Sequence, residues 1–347
     1  MEKNLKKIVF LLVFLQAFAG YGQNALKKYY KYTNKAELAI CAENYAQASR
    51  FYKKAFARHE PFGRDLKWAY LIHSKYIPDM DAALWCLHRY AQRGYEMPPG
   101  EWVEDSVKNA LLCRHILNIR DTVKITVIPE LRDDLGEIMR RDQAVRQRCR
   151  TYQDTCVEKV MQADFENLEK IEKLYRRYGA ITQKNAGSLT PIYTSLLHNS
   201  QWKNDPKQLL WKEIFAGNFD SRAYAVLSDR FIAEHLHSAP VNLSYYATNA
   251  VHALIIHNTL FIYEPENIKQ INKNRREILI AETWEDYLTK LLFVFYRKNP
   301  DFYFVPLQEF VFGDEEENKK EEAAWRADID EKRVNGKYYV RHKSQDQ

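Results

Sequence analysis

Glycine and proline are scarce in this chain, at 11 each in 347 residues. That scarcity disfavours a turn-rich β-sandwich or barrel, which uses such residues at its many reversals. The five cysteines, at 41, 86, 113, 149 and 156, contain no Cys-x-x-Cys pair that would suggest a zinc or dithiol redox centre. His-Glu-x-x-His, Gly-x-Ser-x-Gly and a phosphate-cradling glycine loop are all missing, which argues against the common metal and serine hydrolases and the P-loop enzymes. No metal site or cofactor is expected. Charge of one sign is not in large excess either: 52 Lys and Arg face 46 Asp and Glu, a formal +6. Without a basic stripe carrying a reading motif, nucleic acid is not an expected partner.

Apolar residues are plentiful, at 46%, and aromatics include 23 Tyr, 17 Phe and 7 Trp. A chain of this composition and length can bury the cores of two domains. Lys3, Lys6 and Lys7 lead into an apolar run, Ile8 to Gly20, that ends in small residues before Gln23. This pattern predicts a signal peptide over residues 1–22, with a mature chain beginning at Gln23 and a periplasmic or secreted location. The run falls short of the roughly 20 residues a membrane span needs, so no stable span is expected after processing.

Tyr45, Ala48, Tyr52 and Ala55 recur at spacings of three, four and three, one face of a helix. About 35 residues later Met80, Ala83, Leu87 and Tyr90 repeat the pattern. Each set follows another helical stretch, so residues 24–120 read as antiparallel helix pairs packed through Tyr45, Ala48, Tyr52, Ala55, Ala83 and Leu87. A third unit is expected from Glu101, through Val103, Val107, Leu111 and Cys113. The arrangement resembles tetratricopeptide repeats, with Ala48 and Ala83 at the small packing position of the second helix. That resemblance implies a stacked helical scaffold whose surface holds a protein or peptide partner.

Helical phase fades between Asn118 and Pro129, and a second, mainly helical region is expected over 130–312. Leu131, Leu135, Ile138 and Met139 mark one face, and Asp142 and Arg146 emerge at its edge, four residues apart. On the next helix Asp164 and Asn167 share the phase of Met161, Phe165, Leu168, Ile171 and Leu174. Polar groups in such positions must find hydrogen bonds or face a cavity. They are either a network joining helices or the lining of a small-ligand pocket.

Arg141-Asp142-Gln143 with Arg146, then Asp164, Asn167 and Gly179, resemble an uncharacterised bacterial helical domain family. Ala223, Tyr224, Leu227, Asp229 and Arg230 continue the resemblance, as do Arg275-Arg276 and Tyr287. It implies a helical domain and carries no reaction. The candidate polar pocket therefore comprises Asp142, Gln143, Arg146, Asp164, Asn167, His198, Asp229 and Arg230, with His198 as base if the site is catalytic.

Leu254 to Ile256 and Thr259 to Tyr263, flanking His257-Asn258, suggest a short β-hairpin in an otherwise all-α fold. Neither His252 with His257 nor His235 with His237 makes a sufficient metal-ligand set. Cys149 and Cys156 would lie about 10.5 Å apart within one straight helix, too far to bond there, and buried thiols are expected for most of the five cysteines. Residues 313–347, opening on Asp314-Glu315-Glu316-Glu317, read as a charged, solvated tail.

Overall fold

The computed structural model describes residues 2–93, 127–149, 154–198, 206–235, 253–256, 259–263, 267–297, 301–304 and 338–342, with isolated positions at 118, 246, 248, 265 and 327. The third repeat unit expected from Glu101 and the acidic run at 314–317 lie outside the described residues. The fold is mainly helical, built from paired antiparallel helices.

Helix α1 (Glu2–Cys41) turns back through three residues into α2 (Tyr45–Phe56). Glu43 takes the turn at φ 57°, and Asn44 caps α2 by accepting from the Gln47 amide at 3.0 Å. The second pair is α3 (Gly63–Leu71), extended by a π-helical turn at Ile72–Tyr76, and α4 (Met80–Gln92). Asp79 caps α4 through the Ala82 amide at 3.1 Å. Ala48, Tyr52, Ala55, Ala83 and Leu87 are buried, and the alanines leave room for the neighbouring helix. Tyr45 is half-buried, stacked on Tyr76 with centroids 4.0 Å apart.

Helices α5 (Pro129–Arg148) and α6 (Asp154–Tyr178) form the next hairpin. Short α7 (Gln183–Ala186), then α8 (Thr190–His198), α9 (Pro206–Phe215) and α10 (Ser221–His235), complete that body. Cys149 and Cys156 do not remain thiols. The helix ends at Arg148 and restarts at Asp154, so the chain folds back, brings their Cα atoms within 5.2 Å and allows a disulfide.

Strands β1 (Ala253–Ile256) and β2 (Thr259–Tyr263) form the expected hairpin, Ile256 facing Thr259. After α11 (Ile268–Glu277) and α12 (Trp284–Arg297), strand β3 (Tyr338–His342) pairs antiparallel with β2. The expectation of a solvated tail therefore fails at 338–342, whose backbone hydrogen bonds complete a three-stranded sheet in the order β1-β2-β3.

Two large cores result. One joins α1–α4 to Leu260, Ile262, Ile271, Trp284, Leu291 and Phe302. Residues of the 130–312 region thus finish the core of the 24–120 region. The other lies within α5–α10, closed by Ile278 and Ile280. No helix among the described residues is long and apolar enough to cross a membrane.

Candidate functional site

Asp142, Arg146, Asp164 and His198 converge from α5, α6 and α8. The four-residue spacing along α5 lets Arg146 Nε donate to Asp142 Oδ1 at 3.1 Å, while its Nη2 donates across to Asp164 Oδ1 at 2.6 Å. His198, at the end of α8, places Nδ1 at 3.0 and 3.1 Å from the two Asp142 oxygens. Gln143 donates to Asp142 as well, at 2.8 Å. Asp142 and Asp164 are buried, whereas Arg146 and His198 remain partly exposed.

Arg146 lowers both carboxyls, and burial and His198 set them apart. Burial would raise Asp142, but the His198 hydrogen bond and charge, together with Arg146, hold it below its ordinary value. Burial dominates at Asp164 and lifts its carboxyl to about 6, with Arg146 offsetting only part of the rise. A histidine oriented by a carboxylate beside a second, more weakly acidic carboxyl has the composition of a proton-transfer site. The same bonds also tie three helices together.

One turn beyond Asp164, Asn167 is fully buried and neither of its amide atoms has a hydrogen-bond partner among the described residues. Leaving such a group unmet costs about 1–3 kcal/mol. Asp229 is engaged elsewhere: it accepts from the Tyr246 and Thr248 amides at 2.9 and 2.7 Å, anchoring the segment that follows α10. Arg230 follows it on α10, with its side chain outside the described residues.

A larger charged cluster, absent from the sequence expectations, joins the two ends of the chain. Glu37 on α1 is buried and accepts from Arg64 at 2.7 Å, from Arg222 at 3.0 Å and from Lys290. Lys290, on α12, also donates to Asn34 at 2.6 Å and to Glu282. Arg222 reaches Asp65 at 2.9 Å and Asp220 at 2.8 Å, and Tyr29 donates its hydroxyl to Asp65. Arg275 meets Glu282 and the Tyr246 carbonyl. Burial alone would raise Glu37, but Lys290, Arg64 and Arg222 bring its carboxyl down to about 2. Among the described residues four acids and four bases balance in this cluster, as buried charge requires. The sequence signal was phase: Glu37 follows Tyr30 and Thr33 on the buried face of α1, and Lys290 lies between Tyr287 and Val294 on that of α12.

The helix pairs carry a separate apolar groove of about 380 Å³ between α2, α3 and α4. Tyr52, Phe56, Ala69, His73, Trp85 and Cys86 line it. Trp85 is exposed, with one neighbour in Phe56 at 5.7 Å and another in the Arg89 guanidinium at 5.6 Å. In the groove wall, Tyr52 Oη and His73 Nδ1 are buried without hydrogen-bond partners among the described residues, Asp79 Oδ2 lying 3.9 Å from the His73 nitrogen. Along the adjoining helix α2, Arg50, Lys53 and Lys54 are exposed and no acidic residue occurs.

Compared with protein-family models, with curated proteins and with solved structures, the chain matches none.

Proposed function

We propose that this chain is an exported helical scaffold that holds a partner protein through the groove between α2, α3 and α4. The observation that carries the reading is that groove, with an exposed Trp85 at its edge and unmet polar atoms in its wall. Solvent-facing tryptophan beside an apolar recess is a frequent anchor of protein interfaces. Basic α2 favours a partner segment with an apolar side chain flanked by acidic residues. Export is supported by the Lys3, Lys6 and Lys7 head with its apolar run, and by the Cys149–Cys156 disulfide, which suits an oxidising compartment.

The test is site-directed photo-cross-linking in the intact chain. A photoreactive residue at exposed Ala57, which borders the groove, should yield a discrete adduct that Trp85→Ala abolishes and added salt weakens. The same probe at exposed Glu277 should yield none. Identical adducts from both positions, or none from Ala57, would remove the groove from consideration.

A second reading, a small-ligand receptor or enzyme, is favoured by the convergence of Asp142, Arg146, Asp164 and His198 near the unpartnered Asn167 amide. Ligand-observed NMR with a library of polar metabolites should then give hits that vanish in both Arg146→Ala and His198→Ala. Hits that survive both changes, or no hits, would leave the cluster a purely structural tie.

A further inference from the structure

A second cavity, of about 480 Å³, opens where the helix pairs meet the α5–α10 body, apart from both the Trp85 groove and the Asp142 cluster. Segments distant in sequence wall it: His59 and Glu60 from the α2–α3 connection, Arg89 and Arg93 from the end of α4, Lys184 from α7, and Gly217 from the α9–α10 turn. Among the described residues of the wall, three cations face one carboxylate. Arg93 is held in position by Gln183 at 3.1 Å and by Glu60 at 3.3 Å. Arg89, which rests on Trp85, makes no ion pair among the described residues.

His59 supplies the second observation. Its ring is packed against Tyr29 and Phe62, with centroids 5.4 and 5.7 Å away. Gly217 lets the ring press against the backbone: a Cβ there would meet His59 Nε2 at 2.3 Å. The other nitrogen, Nδ1, is buried and has no hydrogen-bond partner among the described residues. Burial, with Arg93 adding to it, pushes His59 down to about 4, so at neutral pH the ring is uncharged and presents a single N–H. A neutral donor beside two guanidiniums and an ammonium matches an oxyanion. The amides of Gln92 and Asn218, also in the wall, provide donors and acceptors suited to hydroxyl groups.

We infer that this cleft binds a small hydroxyl-rich anion of the sugar-acid or sugar-phosphate class, with Arg89 and Arg93 on the oxyanion and His59 Nδ1 donating to it. Among the described residues none lines both cavities, and the two meet only where Arg89 rests on Trp85, so Arg93→Gln tests the cleft without touching the groove.

Calorimetric titration of the full chain with glucuronate, glucose 6-phosphate, inorganic phosphate and glucose tests it. The first two separate carboxylate from phosphate, and the last two isolate the bare anion and the neutral sugar. At least one charged sugar should bind with a Kd of about 1 mM or tighter, and glucose and inorganic phosphate about tenfold more weakly. Arg89→Gln should weaken binding by about tenfold or more while keeping the melting temperature. Saturating ligand should also shift the His59 ring resonances. Failure of both charged sugars to bind would overturn the inference. So would glucose or inorganic phosphate binding equally well, or unchanged affinity in both Arg89→Gln and Arg93→Gln.

Discussion

Gly217 combines two requirements that no other residue type meets. Its φ of +73° is costly for a residue with a Cβ, and that Cβ would overlap a His59 ring already fixed by two aromatic neighbours. Gly217→Ala should therefore cost about 1–3 kcal/mol in urea unfolding, whereas Gly136→Ala, in open helical space, should not destabilise. Equal stability of the two variants would contradict the packing described. Asp164 makes an opposite kind of demand. Its folded carboxyl is raised from 3.8 to about 6, so the folded state favours the protonated form. Stability from this group is full below pH 3.8 and is lost as pH rises through about 6. Asp164→Asn should gain on the parent across that window, by about 3 kcal/mol at most, and melting curves at stepped pH would show the gap widening. A gap that stays constant would mean that Arg146 offsets burial in full, and one that narrows as pH rises would mean that Arg146 outweighs it. Asp142, Arg146, Asp164 and Asn167 were legible in the sequence because they interrupt amphipathic helices at the buried phase. His59 was not, because no pattern in a connecting segment foretells which ring a distant glycine will admit.

Among the elements, the α1–α2 pair depends on small side chains where the helices approach. Ala48 is fully buried on α2, and Ala46, two residues earlier, faces solvent. Ala48→Leu should cost about 1–3 kcal/mol through overpacking, while Ala46→Leu should stay within about 0.5 kcal/mol. Denaturation midpoints of the two variants would separate them, and coincident midpoints would refute close packing at Ala48. Such helix pairs are readable in advance because their contacts are local, and the period of 3.6 turns composition into a face. The hairpin at Ala253–Tyr263 was readable for a related reason, since two β-prone runs flank a two-residue link. Local reasoning failed at Cys149 and Cys156, whose spacing was weighed only within one straight helix, and the break at Arg148 carries no proline or glycine to mark it. It failed again at Tyr338–His342, whose partner strand lies some eighty residues earlier.

On the scale of the molecule, Lys290 is the group most dependent on distant parts of the chain. It is buried and joins α12 to buried Glu37 on α1 and to the largely buried Glu282. Lys290→Met should cost about 1–3 kcal/mol, because two acids would lose their shared cation and keep only their arginine partners. Adding Glu37→Gln to that variant should recover part of the loss, and a double variant no more stable than Lys290→Met would argue against the ionic account. The Glu37 carboxyl adds an acid limit. Its folded value lies below the ordinary 4.5, so its contribution is full above that pH and drains away as pH falls towards about 2. Melting temperatures of the parent should fall through that interval more steeply than those of Glu37→Gln. None of these long-range pairings could be read from spacing, for partners some 250 residues apart leave only a lone charge at a core phase in each helix. The tip of the α5–α6 hairpin is linked differently, by a covalent sulfur bridge. Proteolytic nicking after Arg150 would leave both fragments tethered, migrating as one species on a gel until a reductant released them.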